Sequence, residues 1–178
     1  MTFGYDDEWV KVPRLIIEDE LSRLMRRVID NHVNAGQMAS GKTAKSMRVE
    51  ADEDGGRLVG RAYFGVLETG RKAGKVPQGF IHIIRQWMRD KGIEAEPIPY
   101  VRPGAHKYTP QERGNMSMAA CIAQTIKKKG TRLYRDGGRH DIYSKDVEQT
   151  TKNLLERIDK FAKSKIETIP INLDMEIK

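Results

Sequence analysis

Gly36-Gln37-Met38-Ala39-Ser40-Gly41-Lys42-Thr43 fits the spacing of a phosphate-cradling P-loop letter for letter. In that motif a buried strand delivers the glycines to the N-terminus of a helix, whose amides and dipole hold the phosphates. Here a helix-periodic run precedes the glycines and a strand-like run follows them. No later apolar run ends in an aspartate suited to magnesium. The order is inverted, so the segment reads as a helix-stopping turn whose Gly41 and Lys42 lead into a hairpin, and a small NTPase ranks third among the functional readings.

The other chemically able residues are scattered. His32, His82, His106 and His140 have no ligand spacing between any two, and no cofactor or metal is expected. The single Cys121 lies in an apolar helical stretch and reads as a small buried hydrophobe. The Asp52 to Asp54 cluster reads as a turn, and Glu68 has no partner that the sequence can place beside it. With no nucleophile, base or ligand set, no catalytic residue is assigned. Binding or assembly precedes catalysis in the expectation.

Two segments have the composition of a contact surface. From Leu67 to Pro77, Gly70, Gly74 and Pro77 fix the path of a loop from which Arg71, Lys72, Lys75 and Glu68 are expected to project. From Lys127 to His140, Lys127, Lys128, Lys129, Arg132, Arg135 and Arg139 are opposed only by Asp136. No recognition helix, stacking platform or known nucleic-acid module accompanies them, which argues against sequence-specific DNA reading. Two uses stay open: non-specific contact with phosphates, which would be salt-dependent, and bidentate pairing of Arg132, Arg135 and Arg139 with carboxylates of a neighbouring subunit.

Charge is segregated along the chain. The net charge is +7, yet residues 71 to 140 hold 15 Lys and Arg against 5 Asp and Glu, while residues 1 to 70 hold 10 against 12 and residues 141 to 178 hold 7 against 8. A basic middle flanked by mildly acidic ends suits either a patch facing phosphates or a subunit whose basic face meets its neighbour's acidic one. The length favours one domain over residues 1 to 178. One cysteine excludes an internal disulfide framework. No apolar leader or spanning run is present, so no membrane partner is expected and folding in a reducing cytoplasm is.

The elements that position these residues follow from periodicity. Leu21, Leu24, Met25, Val28 and Ile29 recur at helical steps and predict a helix from Pro13 to about Asn34, stopped by Gly36. Alternation over Met47 to Ala51, a Glu53-Asp54-Gly55-Gly56 turn and the strand formers of Leu58 to Phe64 predict a β-hairpin. Phe80, Ile83, Ile84, Trp87 and Met88 predict a short helix ended by Gly92, with Trp87 in the core. Four prolines between Glu94 and Gly114 predict an extended arm carrying Tyr100, Arg102, His106, Lys107 and Tyr108. Asn115 caps the next predicted helix, whose stripe is Ala119, Ile122, Ala123 and Ile126. A last helix is predicted to begin after Ser144 and reach Ser164, followed by a strictly alternating strand from Ile169 to Ile177 that Pro170 places at a sheet edge, added either to the chain's own hairpin or to a neighbouring subunit. The fold class is α+β: a small antiparallel sheet of hairpin plus C-terminal strand, about four helices packed against it, and the proline-rich arm over 94 to 114.

Leu67 to Pro77, with Trp87 and Lys91-Gly92-Ile93 beyond it, resembles the neck and tail-component proteins of tailed bacteriophages, the head-tail connector and tail completion family, in the version found in crAss-like and other Bacteroidales phages. Ala119 to Ala123, Lys129 to Arg135, Gly137-Gly138-Arg139 and Asp141 to Ser144 carry the same resemblance, as does Ser40 to Thr43 with Ser46, so that it spans most of residues 12 to 166. The chain departs at Ala73 and Gln78, where the family's pattern has prolines. The resemblance implies a virion structural protein, assembled in the bacterial host cytoplasm. It would form a ring with copies of itself and meet neighbouring neck, tail or portal proteins, with possible non-specific contact with packaged DNA in the lumen. The expected interface residues are Glu68, Arg71, Lys72, Lys75, Pro77, Arg102, Tyr108, Arg132, Arg135 and Arg139. The alternative is a basic accessory protein that binds nucleic acid non-specifically.

Overall fold

A computed structural model describes residues 7–52 and 54–168. The long helix α1 spans Glu8–Asn34, a one-turn helix α2 spans Lys42–Lys45, and strands β1 Arg48–Ala51 and β2 Gly56–Val59 form an antiparallel hairpin. One-turn α3 (Val66–Thr69), α4 (Phe80–Asp90), α5 (Pro110–Lys129), one-turn α6 (Arg132–Arg135) and α7 (Ser144–Glu167) complete the described chain. The coarse α+β class holds, with four long helices and a two-stranded sheet among the described residues. The predicted C-terminal strand falls outside them.

The helices do not all pack on the sheet. Two separate apolar clusters divide them. Leu24, Val28 and Ile142 are buried together, covered by Leu21, Met47, Leu58, Phe64, Leu67 and Tyr143, so α1 carries the hairpin on one side and the start of α7 on the other. Ile84, Met88, Ala119 and Ala123 form the second cluster between α4 and α5. The small alanines of α5 let the two helix axes approach closely, and Phe80, Ile93, Ile122 and Ile126 close the edges.

The α1 helix starts five residues earlier than its periodicity predicts, and Pro13 lies inside it. The tertiary reason is α7, which runs antiparallel along it: Trp9 meets Phe161 edge-on at 5.7 Å, and Lys165 pairs with Glu8. Midway, Arg157 of α7 bridges Asp19 and Glu20, at 2.8 Å from the Glu20 carboxylate, which is buried. Hydrogen bonds from Arg157 and then Arg23 hold the Asp19 carboxyl below its ordinary range. At the far end Asn31 donates to the Ile142 carbonyl at 3.1 Å and to Asp146 at 2.6 Å. Removing the guanidinium in Arg157→Met leaves the Glu20 carboxylate buried without a cation. A fully buried broken pair costs about 3–5 kcal/mol. Because Arg157 keeps water contact, the expected loss is about 2 kcal/mol, read as a lower urea midpoint with unchanged slope.

Several local expectations are corrected by packing. Strand β2 ends at Val59, because Phe64 turns inward to lie 5.2 Å from the Tyr143 ring and cannot continue a ladder. Trp87 is 38% exposed, since Ile84 and Met88 occupy the face that α5 covers. Cys121 is exposed on α5 and not buried. The cap of α5 is Thr109, not Asn115: its side chain accepts the Glu112 amide at 3.1 Å while Glu112 accepts the Thr109 amide at 2.8 Å. Pro110 is then the first helical residue, the place where proline is tolerated best.

The arm is consequently shorter than predicted, and it is tied down. Asn115 accepts the Ala95 amide at 2.8 Å, Gln111 donates to the Ala95 carbonyl at 2.7 Å, and Arg113 donates to the carbonyls of Ile98 and Pro99. Tyr100 stacks on His106 at 3.5 Å, with the Arg113 guanidinium over the Tyr100 ring. No helix among the described residues is long and apolar enough to cross a membrane.

Candidate functional site: a basic cleft

The loop after α3 and the segment from Lys127 to Ser144 are distant in sequence and are brought together in space. The Arg71 amide donates to Thr131 Oγ1 at 2.9 Å and the Thr131 amide returns a bond to the Arg71 carbonyl at 2.9 Å. The Gly74 amide bonds the Lys127 carbonyl, and the Arg139 amide bonds the Glu68 carbonyl, both at 2.9 Å. These reciprocal bonds lay one basic segment against the other. Between them opens a cleft of about 680 Å³, lined by Lys72, Tyr134, Arg135, Arg139 and His140 with Glu68 at its base.

Glu68 does not project. It is 2% exposed and serves as the acceptor that the start of α7 lacks. The first amides of any helix have no partner within it, and their dipole favours a negative charge. Glu68 Oε1 accepts from the amides of Ile142 at 3.0 Å, Tyr143 at 2.7 Å and Ser144 at 3.0 Å, while Oε2 takes the Ser144 hydroxyl. Burial alone pushes this carboxyl upward. The four hydrogen bonds, led by that of the Ser144 side chain, outweigh it and leave the group below its ordinary value. Glu68 is therefore charged near neutrality, and its charge is spent inside the fold.

Gly70 makes the close approach possible. Its φ is 67° and its ψ is 179°, a region that is essentially closed to residues with a side chain. A β-carbon there would also fall on the Tyr134 amide nitrogen and lie 2.7 Å from Thr131 Oγ1. Thr131 has a second duty, since its hydroxyl caps α6 through the Tyr134 amide.

The predicted contact residues then sort by what they touch. Arg71 is half-buried: it donates to the Lys75 carbonyl at 2.7 Å, and its guanidinium sits 5.5 Å from the Phe80 ring centre. Lys72, Lys75 and Pro77 are exposed. Arg132 pairs with Asp136 at 3.3 Å. Arg139 forms a two-point pair with Asp141, which lowers the carboxyl of Asp141 and raises Arg139. Arg135 is exposed and has no carboxylate partner among the described residues, and the same is true of Lys72. Arg102 and Tyr108 are not part of this cleft: they lie on the exposed arm at the opposite end of α5, where Lys107 covers the Tyr108 ring at 5.3 Å.

The P-loop-like segment has α1 before it. The left-handed Gly41 opens the single turn of α2 and then β1, and Gln37 is used to hold the Leu67 carbonyl at 2.8 Å. No group of three or more His, Cys, Asp or Glu side chains among the described residues is arranged to hold a metal. Sequence reasoning gave Gly70 as fixing the path of the loop but missed Thr131, Tyr134 and Ser144 as builders of the cleft, because no local pattern marks a residue whose partner lies sixty or more positions away. It could have found Thr109, since Thr109-Pro110-Gln111-Glu112 is a capping-box signature. Compared with the models of known protein families, with characterised proteins and with solved structures, the chain matches none.

Proposed function

We infer that this protein is a structural subunit of the ring-shaped head-tail connector or tail barrel of a tailed bacteriophage, acting through contacts with copies of itself and with neighbouring neck, tail or portal proteins. One observation carries the reading. Among the described residues only seven apolar side chains are buried, while seventeen large ones are exposed, among them Val101 at 101% on the arm and Leu155 at 63% on α7. A chain with so small a core gains much of its stability from surfaces that other molecules cover. The buried Glu68 and the left-handed Gly70 serve to shape an external surface, which is where an assembly protein invests its order.

The test is size-exclusion chromatography with light scattering, and negative-stain imaging, on the full chain alone and mixed with the neck and portal proteins of the same virion. A closed ring or a defined complex is expected. A monomer under every condition, absent from mature particles, would overturn the reading. The second reading, non-specific nucleic-acid binding, draws on the cations Lys72, Lys75, Lys127, Lys128, Lys129 and Arg135, all exposed on the joined segments. It would be favoured by isolated monomer that shifts random duplex DNA with a steep loss on added salt.

A further inference from the structure

The proline-rich arm carries a stack of flat groups. Tyr100 lies parallel to His106, at 3.5 Å between ring centres and 6° between planes, and the Arg113 guanidinium sits 4.0 Å from the Tyr100 ring centre. Two groups so close to one ring cannot share a face, so Tyr100 is sandwiched between them. The stack is anchored at both ends: Arg113 also donates to the Ile98 and Pro99 carbonyls, and His106 Nε2 donates to the Arg102 carbonyl at 3.0 Å. His106 is exposed although Tyr100 covers one of its faces, so what it offers to solvent is the other face and an edge. A flat π surface is thereby fixed in place before anything binds.

The charges around it have one sign. His106, Tyr100 and Tyr108 line a hollow of about 660 Å³ together with Arg102 and Lys107. From Pro97 to Gln111 the chain has no Asp or Glu. Arg102 and Lys107 are both exposed and neither pairs with a carboxylate among the described residues; Lys107 lies over the Tyr108 ring instead. An acidic protein segment would meet these cations but gain nothing from the ring faces, which carry the negative part of the π quadrupole. A nucleobase stacks on such faces whatever its identity, and its phosphates take the cations. In a duplex the bases are stacked on one another and offer no free face, so the chemistry selects an unpaired strand.

We propose that the hollow of the arm binds single-stranded nucleic acid, with a base laid on the exposed face of His106 and phosphates held by Arg102 and Lys107. The site is separate from the basic cleft: Pro110 and Lys127, toward opposite ends of α5, are about 26 Å apart at 1.5 Å per residue. Such binding is compatible with a ring subunit and does not require one.

The test is fluorescence anisotropy on the full chain at low salt, with a labelled oligothymidylate, an abasic strand of the same length, a duplex of that length, and polyglutamate. The oligothymidylate is expected to bind most tightly. His106→Ala should weaken its binding about five-fold or more, the effect of losing one base–aromatic stack. His106→Phe keeps a ring face and should restore it. Each phosphate contact to a single strand adds about 0.7 to the slope of log affinity against log salt, so Arg102→Gln with Lys107→Gln should flatten that slope by about 1.4. These side chains are exposed, and melting temperatures should stay close to that of the parent. No binding of oligothymidylate by the parent chain, or equal binding of the abasic strand, overturns the proposal. Polyglutamate bound as tightly overturns it in favour of an acidic protein partner. Binding that ignores His106→Ala but is lost in Lys72→Gln with Arg135→Gln overturns it in favour of the basic cleft. Each of these outcomes leaves the ring reading to its own assembly experiment.

Discussion

Glu68→Ala is expected to destabilise the protein by about 4 kcal/mol and to unravel the first turn of α7. Each buried donor left without an acceptor costs about 1–3 kcal/mol, and more when the lost partner was charged. Three amides and a hydroxyl depend on this one side chain. The full sum is not reached, because water can enter the space vacated beside the half-buried Tyr143 and Ser144. Glu68→Gln keeps the shape and one carbonyl acceptor, so about half the loss is expected. Urea unfolding measures the total, and amide exchange at Ile142, Tyr143 and Ser144 locates it. A change below about 1 kcal/mol in Glu68→Ala would show that this carboxylate does not hold the helix.

The same carboxylate sets an acid limit. Its value in the fold is lowered from an ordinary 4.5 by the four donors, against the opposing effect of burial. The unfolded chain therefore binds the proton first as pH falls. The stability contributed by Glu68 is complete above the unfolded value and is lost as pH drops through the lowered folded value. The stability gap between parent and Glu68→Gln is therefore expected to be widest near neutrality and to narrow below pH 4.5.

Gly70→Ala is expected to cost about 3 kcal/mol, with the damage confined to the junction of the two basic segments. A residue with a side chain held at this φ and ψ carries about 1–3 kcal/mol of strain. The new β-carbon would also strike the Tyr134 amide, which is backbone and cannot rotate away. The loop must lift from Thr131, breaking the reciprocal Arg71–Thr131 bonds. Amide exchange should quicken at Arg71, Thr131 and Arg139 while the Ile84–Met88–Ala119–Ala123 cluster stays protected. If the cleft is the assembly surface, Gly70→Ala should abolish assembly even at temperatures where the chain remains folded. A variant as stable as its parent would show that the loop reaches Thr131 by another path.

Much of the fold was legible from periodicity, and for a clear reason. Leu24 and Val28, Ile84 and Met88, and Ala119 and Ala123 are each four apart, so a helical chain must put each pair on one face, and those are the buried pairs. The hairpin was legible because an acidic, glycine-bearing turn separates two strand-forming runs. The exposure of Lys72 and Lys75 was legible as well, since a glycine-punctuated basic loop predicts it.

Glu68 shows where such reading ends. By type and position it belonged with the projecting charges, and nothing within several residues of it says otherwise. Its partners lie 74 to 76 positions away, and only when the end of α3 meets the start of α7 do orphan amides and carboxylate find each other. Trp87 and Cys121 were misplaced for the same kind of reason: a helix periodicity states which residues share a face but not how much of that face a neighbour covers. The sequence by itself settled the elements, their apolar stripes and the segregation of charge, because these depend on spacing along one chain. The tertiary structure alone decided that two basic segments form one cleft and that its carboxylate is buried. Those facts depend on which distant backbone groups satisfy one another, and hydrogen bonding across sixty or more residues leaves no periodic trace.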